Sequence, residues 1–161
     1  MSRARLDEID LRILSALQED ARMTNVRLAE RAGLSPSPCL QRLKRLEKDG
    51  LIRRYEGVVD LKRLAEVVMV FAEITLADHR LADFLRFERA MAAEPTVLEC
   101  HLVSGGFDYL VKFAARHIGH YQEVMEGLLA EECGIARYFS YIVIKSPLER
   151  RPPRLDLYRD M

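Results

Sequence analysis

Leu34-Ser35-Pro36-Ser37-Pro38-Cys39-Leu40-Gln41-Arg42-Leu43-Lys44-Arg45-Leu46-Glu47 is the stretch on which the fold turns. Ser35 followed by Pro36 reads as a helix start: a serine precedes the first turn, and a proline there gives up only an amide that the helix leaves unpaired. Cys39, Leu43 and Leu46 fall on one apolar stripe, so this helix lies on a core along one side. Ser37, Pro38, Leu40, Gln41, Lys44, Arg45 and Lys48 are its outward positions, and Gly50 ends it.

Upstream the pattern repeats in shorter form. Leu6, Ile9, Ile13, Leu14 and Leu17 mark one face of a first helix. Thr24 caps a second, with Val26, Leu28, Ala29 and Ala32 as its apolar positions and Gly33 as a left-handed stop. Helix, glycine turn, helix is the helix-turn-helix arrangement, whose second helix enters the major groove and meets base edges with its first residues. Gln41 can pair with adenine, and Arg42 or Arg45 with guanine or phosphate. Ser35 and Ser37 sit where helix amides also hold a phosphate. Downstream, Leu51-Ile52-Arg53-Arg54-Tyr55-Glu56-Gly57-Val58-Val59 reads as a small β-wing with a basic edge.

The whole chain of 161 residues has 25 Lys+Arg and 25 Asp+Glu, a formal net charge of zero. That balance argues against nucleic acid only if it is even along the chain, and it is not. Residues 1–63 carry 14 basic and 10 acidic residues (+4), residues 64–145 carry 7 and 12 (−5), and residues 146–161 carry 4 and 3 (+1). A basic head is joined to an acidic body, which suits a polyanion partner for the head alone. At 49% hydrophobic and 31% charged the chain is globular, and it has no apolar run long enough for a membrane span. The opening residues lead into acidic positions with no apolar stretch, so no signal peptide is expected. Three scattered cysteines, Cys39, Cys100 and Cys133, suit reduced thiols in a cytoplasm.

The body alternates strand and helix. Val67–Leu76, Val97–Val103, Tyr109–Ala115 and Arg137–Ile144 read as strands, with helices over Leu81–Ala93 and His120–Ala130. This β-α-β-β-α-β order is the ferredoxin-like split arrangement, making the whole chain α+β. Val67–Ala72, Leu110-Val111 and Ile142–Ile144 are apolar on both faces, and two helices cover only one face of a sheet. The second face therefore calls for a copy of itself, in a twofold homodimer.

Three motifs in the head and two in the body resemble the Lrp/AsnC family of regulators, also called feast/famine proteins. In the head they are Leu6-Asp7-Glu8-Ile9-Asp10, Ala21-Arg22-Met23-Thr24-Asn25 and the long stretch from Leu34 to Glu47. In the body they are Val70–Leu76 and Glu99–Leu110. The resemblance implies a winged helix-turn-helix (residues 1–63, with linker), a RAM-type βαββαβ effector and dimerisation domain (64–145) and a tail (146–161). It implies double-stranded DNA as partner, modulation by a small amino acid, and dimers that assemble further, often to octamers. It puts Ser35, Ser37, Pro38, Leu40, Gln41, Arg42, Lys44 and Arg45 at DNA. It puts Gly105, Gly106, Phe107, Asp108, Ser140, Tyr141 and Val143 at the effector, with Asp108 for the ammonium group. By residue chemistry alone, Gly105-Gly106 is a hairpin turn. Many relatives have Asp where this chain has Gly106, which removes a negative charge beside the loop.

Other chemistries fit less well. Cys100 and His101 are adjacent on a strand and point to opposite faces, so they form no nucleophile–base pair, and no phosphate or dinucleotide fingerprint is present. His117 and His120 lack the further ligands of a metal motif. Arg150-Arg151-Pro152-Pro153-Arg154 reads as extended polyproline-like chain. The expectation is a sequence-specific, cytoplasmic and nucleoid-associated transcription regulator, with no enzyme activity, no cofactor and no metal. The alternative is an effector-independent nucleoid-organising protein of the same fold.

Overall fold

The computed structural model describes residues 6–148 and Leu155, apart from the side chain of Lys62. It has two compact units that divide between Val58 and Val59. The sequence reading of the tail over residues 150–154 lies outside the described residues.

The first unit is three helices: α1 (Glu8–Glu19), α2 (Asn25–Ala32) and α3 (Pro36–Lys48). Asp7 opens α1 through a reciprocal cap: its side chain accepts from the Asp10 amide at 2.8 Å, and the Asp10 side chain accepts from the Asp7 amide at 3.2 Å. Thr24 caps α2 as its position predicts. Gly33 then takes the left-handed conformation (φ 73°, ψ 38°), and the Gly33 and Leu34 amides donate back to Glu30 and Ala29. That double bond pattern ends a helix by satisfying its last carbonyls, and it sets the angle at which α3 leaves. Ile13, Ala16, Leu28, Ala29, Ala32, Cys39 and Leu46 form the core. The apolar faces read from the sequence are the faces that meet, except that Val26, read as an apolar position of α2, is exposed.

The expected β-wing is not there. Residues 51–60 contain no strand. Leu51, Arg53, Arg54, Tyr55, Val58 and Val59 are exposed, and the Tyr55 hydroxyl donates to Glu47 at 2.7 Å while Arg54 pairs with Glu56. Nine residues with no partner strand bury too little to hold a two-stranded ribbon. A short helix, α4 (Leu61–Leu64), follows.

The second unit holds α4 and a four-stranded sheet with two longer helices. The strands are β1 (Val68–Leu76), β2 (Val97–Leu102), β3 (Tyr109–Ala115) and β4 (Ile135–Ile142), with α5 (Leu81–Ala93) after β1 and α6 (Ile118–Ala130) after β3. Their order is β2-β3-β1-β4, with every neighbouring pair antiparallel. This is the expected ferredoxin-like topology. The last strand begins and ends two residues earlier than the sequence suggests, because a register irregularity at Thr75/Leu76 brings Ile135 into the ladder. Val143 lies just past it and still donates to Met69 at 2.9 Å.

One face of the sheet is core: Val70, Ala72, Ile74 and Leu76 on β1 and Tyr109, Val111, Phe113 and Ala115 on β3 pack with Phe87, Met91, Tyr121, Met125 and Leu128. The other face carries Met69, Phe71 and Glu73, with Tyr141 opposite Phe71 and Phe139 opposite Glu73 on one side and Leu110 and Lys112 on the other. Phe139 and Tyr141 are about half exposed. No helix of this unit covers that face, so the two-sided apolarity legible in the sequence leaves one side bare.

Candidate functional site

α3 presents Ser37, Gln41, Lys44 and Lys48 as one exposed stripe, at the spacing that keeps residues on one side of a helix. Leu40 and Arg45 flank it, and Pro38 is half-buried. Ser35 occupies the cap position, but its hydroxyl makes no cap bond. The helix starts on a fixed base: the Asn25 side-chain amide donates to the Pro36 carbonyl at 2.9 Å, tying the first turn of α2 to that of α3. Cys39 and Leu46, wholly buried, anchor the opposite face. The stripe is therefore a rigid polar and basic edge, of the kind that reaches base edges and phosphates.

The two arginines are placed differently from the lysines. The Arg42 Nη1 donates to Asp7 at 2.6 Å and to Asp10 at 2.9 Å. The Arg45 Nη2 bonds the other oxygen of Asp10. Asp10 is 1% exposed. The Asp7 carboxyl is held below its ordinary value, first by the Asp10 amide and then by Arg42, and the Arg42 guanidinium is raised by the same two carboxylates. Sequence reasoning treats Arg42 as a DNA contact, but the structure gives its head to α1. Asp10 stands in one of the quoted motifs, but its pairing is not legible in the sequence because its partners are 32 and 35 residues away.

In the body, Gly105 takes φ +155° with open space around it, as a hairpin glycine does, and Gly106 is equally unobstructed. Phe107 and Asp108 are half-buried. The Asp108 Oδ2 accepts from the Leu76 amide at 2.8 Å, and both carboxylate oxygens lie 3.0 and 3.1 Å from the His79 Nε2. The Asp108 amide donates to Ile74, and its carbonyl accepts from Val103. Asp108 thus ties its own loop to the end of β1. His79 is absent from the sequence reading, because a histidine in a β–α turn carries no pattern of its own. Ser140 meets the Tyr121 hydroxyl at 2.6 Å, on the helix side of β4. Tyr141 faces the other side, beside Phe71, so the expected effector residues on β4 are split between two faces.

A cavity of about 370 Å³ lies beside β2, lined by Glu88, Met91, Val97, Cys100, Leu102 and Tyr109 among others, and the residues 105–108 do not line it. Burial, with the Glu88 carboxylate second, pushes the Cys100 thiol up to about 11, which leaves it a poor nucleophile. His117 and His120 are spent on capping: the His117 Nδ1 accepts the His120 amide at 3.0 Å, and the His120 Nδ1 accepts the Arg116 amide at 3.3 Å. Among the described residues no cluster of three or more metal-ligating side chains is present, and no helix is long and apolar enough to cross a membrane.

The chain matches two family models. Residues 6–53 match a winged helix-turn-helix DNA-binding model, and residues 69–153 match the Lrp/AsnC ligand binding domain. It is 44% identical over 142 residues to the transcriptional regulatory protein DoeX of Halomonas elongata, covering 88% of this chain and 90% of that one. It is 39% identical over 140 residues to the leucine-responsive regulatory protein of Escherichia coli, covering 87% and 85%. Its fold is similar to that of a transcriptional regulator from Neisseria meningitidis solved as a complex with L-Met, at a TM-score of 0.89 and 30% identity over 96% of this chain and 99% of the other.

Proposed function

The chain belongs to the Lrp/AsnC family of transcriptional regulators, as a DNA-binding regulator and not an enzyme, and from that premise we propose a cytoplasmic, nucleoid-associated homodimer whose DNA binding responds to a small amino acid. Residues 1–63 form its DNA-binding part with linker, residues 64–145 its effector and dimerisation part, and 146–161 its tail. The exposed stripe of α3 carries the reading of DNA. Ser37, Gln41, Lys44 and Arg45 contact the duplex, with Ser35, Pro38, Leu40 and Arg42 at the edge of that contact. Replacing Lys44 and Arg45 together by Ala weakens binding and flattens its salt dependence by about one unit per lost phosphate contact. An unchanged mobility-shift titration defeats this assignment.

The effector meets Gly105, Gly106, Phe107 and Asp108, with Ser140, Tyr141 and Val143 nearby. The carboxylate of Asp108 suits an ammonium group, and backbone amides beside glycine suit a carboxylate. The L-Met bound by the Neisseria meningitidis regulator supports an amino acid as the chemical class. A thermal-shift screen of the common amino acids tests this, since a ligand selective for the native state raises the melting temperature.

The bare sheet face, with Phe71, Leu110, Phe139 and Tyr141, supports a twofold dimer through that face and further assembly to octamers on multiple sites. A dimer presents two copies of α3 to half-sites one helical turn apart or a multiple of it. One observation favours the effector-independent, nucleoid-organising alternative: both oxygens of Asp108 already have partners, and Gly106 supplies no further acid. No shift with any amino acid favours that reading.

A further inference from the structure

The recognition helix has four basic residues, Arg42, Lys44, Arg45 and Lys48, but they do not present four free charges. Arg42 and Arg45, three apart, share the side of α3 that turns to α1, and both are bonded to Asp10. Asp7 takes Arg42 as well. Two carboxylates and two guanidiniums close into one balanced group around a carboxylate that is 1% exposed. A buried anion survives only with such compensation, and the compensation fixes geometry. Asp10 itself is fixed by its reciprocal cap with Asp7, so the fixed end of the group is α1 and the movable ends are the arginines.

We propose that Asp10 is a positioning residue for DNA recognition: from within the core it holds the fork of Arg45 at the border of the exposed stripe, in the orientation that reads a base. The idea rests on α3 being the reading helix and goes beyond it, since it assigns discrimination to a side chain that does not face DNA. The Arg45 side chain is 47% exposed, so one end of its fork is held while the rest is open to a guanine edge or a phosphate. Arg42, 28% exposed and bonded to both carboxylates, is the strut of the group. Without Asp10 the Arg45 head swings free. A free guanidinium still attracts phosphate but no longer reads a base reliably, so affinity for any DNA and discrimination between DNAs move in opposite directions.

The test uses the full chain and two probes: a duplex that the native protein selects from a randomised pool, and poly(dI-dC). Failure of the native protein to enrich any duplex overturns α3 as a reading helix, and is seen before any variant is made. Asp10→Asn keeps the shape and removes the charge. Its discrimination between the two probes is expected to fall about tenfold or more, the scale of one lost bidentate contact. Its binding to poly(dI-dC) is expected to hold or tighten, with a salt slope steeper by about one. Retained discrimination, or equal loss on both probes, overturns the proposal. If Asp10→Asn lacks a native-like melting transition, Arg45→Lys decides instead. It keeps the charge and loses the fork, so discrimination falls about tenfold while poly(dI-dC) binding falls by less; retained discrimination again overturns the proposal.

Discussion

Replacing Asp108 by Ala removes the acceptor that the Leu76 amide uses at 2.8 Å, and the size of the loss follows from what surrounds it. Leu76 is 2% exposed, so water reaches its amide poorly. An unsatisfied buried donor costs about 1–3 kcal/mol. The His79 contact adds little, because that ring is 56% exposed, and an exposed pair contributes roughly 0–1 kcal/mol. The expected loss for Asp108→Ala is therefore about 1–4 kcal/mol. Asp108→Asn keeps a carbonyl acceptor and loses only charge assistance, about 1 kcal/mol. Urea unfolding at one fixed chain concentration measures both, since assembly makes apparent stability depend on concentration. An Asp108→Ala variant within about 0.5 kcal/mol of native, inside the usual range for surface changes, refutes the account of this loop. The same variants separate structure from ligand binding. If Asp108 takes an effector ammonium, His79 is its competitor. His79→Ala then keeps or enlarges the ligand-induced thermal shift, whereas Asp108→Ala abolishes it. A shift retained in Asp108→Ala removes that residue from the site.

Three further outcomes follow from the geometry. Asp7 is held below 3.8, and Glu99 below 4.5 chiefly by its Lys112 bond. Depressed carboxylates contribute stability above their unfolded values and lose it as pH falls through the folded ones, so unfolding midpoints are flat from neutral pH to about 5 and decline below about 4.5, with a shallower decline in Asp7→Asn and Glu99→Gln. Gly33→Ala lowers stability by about 1 kcal/mol through the left-handed backbone alone, because the added Cβ meets nothing nearer than the Arg12 Nη1 at 3.9 Å; a urea midpoint equal to native excludes the strain. Phe139→Lys sits opposite Glu73 and is tolerated in one chain, but it puts a charge into a face-to-face sheet contact. It is expected to raise the dimer dissociation constant by roughly a hundredfold, and an unchanged mass by sedimentation equilibrium rules out that interface.

Much of the fold was legible because its signals are local. Thr24, Gly33 and Gly50 set helix ends through backbone preferences of a few residues, and the apolar stripe of Cys39, Leu43 and Leu46 follows from the helical repeat alone. The apolar runs of β1, β3 and β4 gave the strands, and their apolarity on both faces gave the two-faced sheet, in the same way. The wing failed because a strand is not a local object: Arg53–Val59 has a strand-like composition, and among the described residues no strand pairs with it. The candidate site divides on the same line. Gly105, Gly106 and Asp108 stood out by type, but the tie of Asp108 to Leu76 and His79 spans 32 and 29 residues.

By itself, then, the sequence determined the elements, the outward stripe of α3 and the bare face of the sheet, because helix and strand periods fix which side a residue takes. It also showed that a net charge of zero divides into a basic head and an acidic body. Only the tertiary structure decided which of those charges are free. Arg42 is taken up by Asp7 and Asp10, and Arg45 is held at one end by Asp10 yet stays exposed beside Lys44 and Lys48, because ion pairs form by distance in space, and folding brings residues 35 apart into contact.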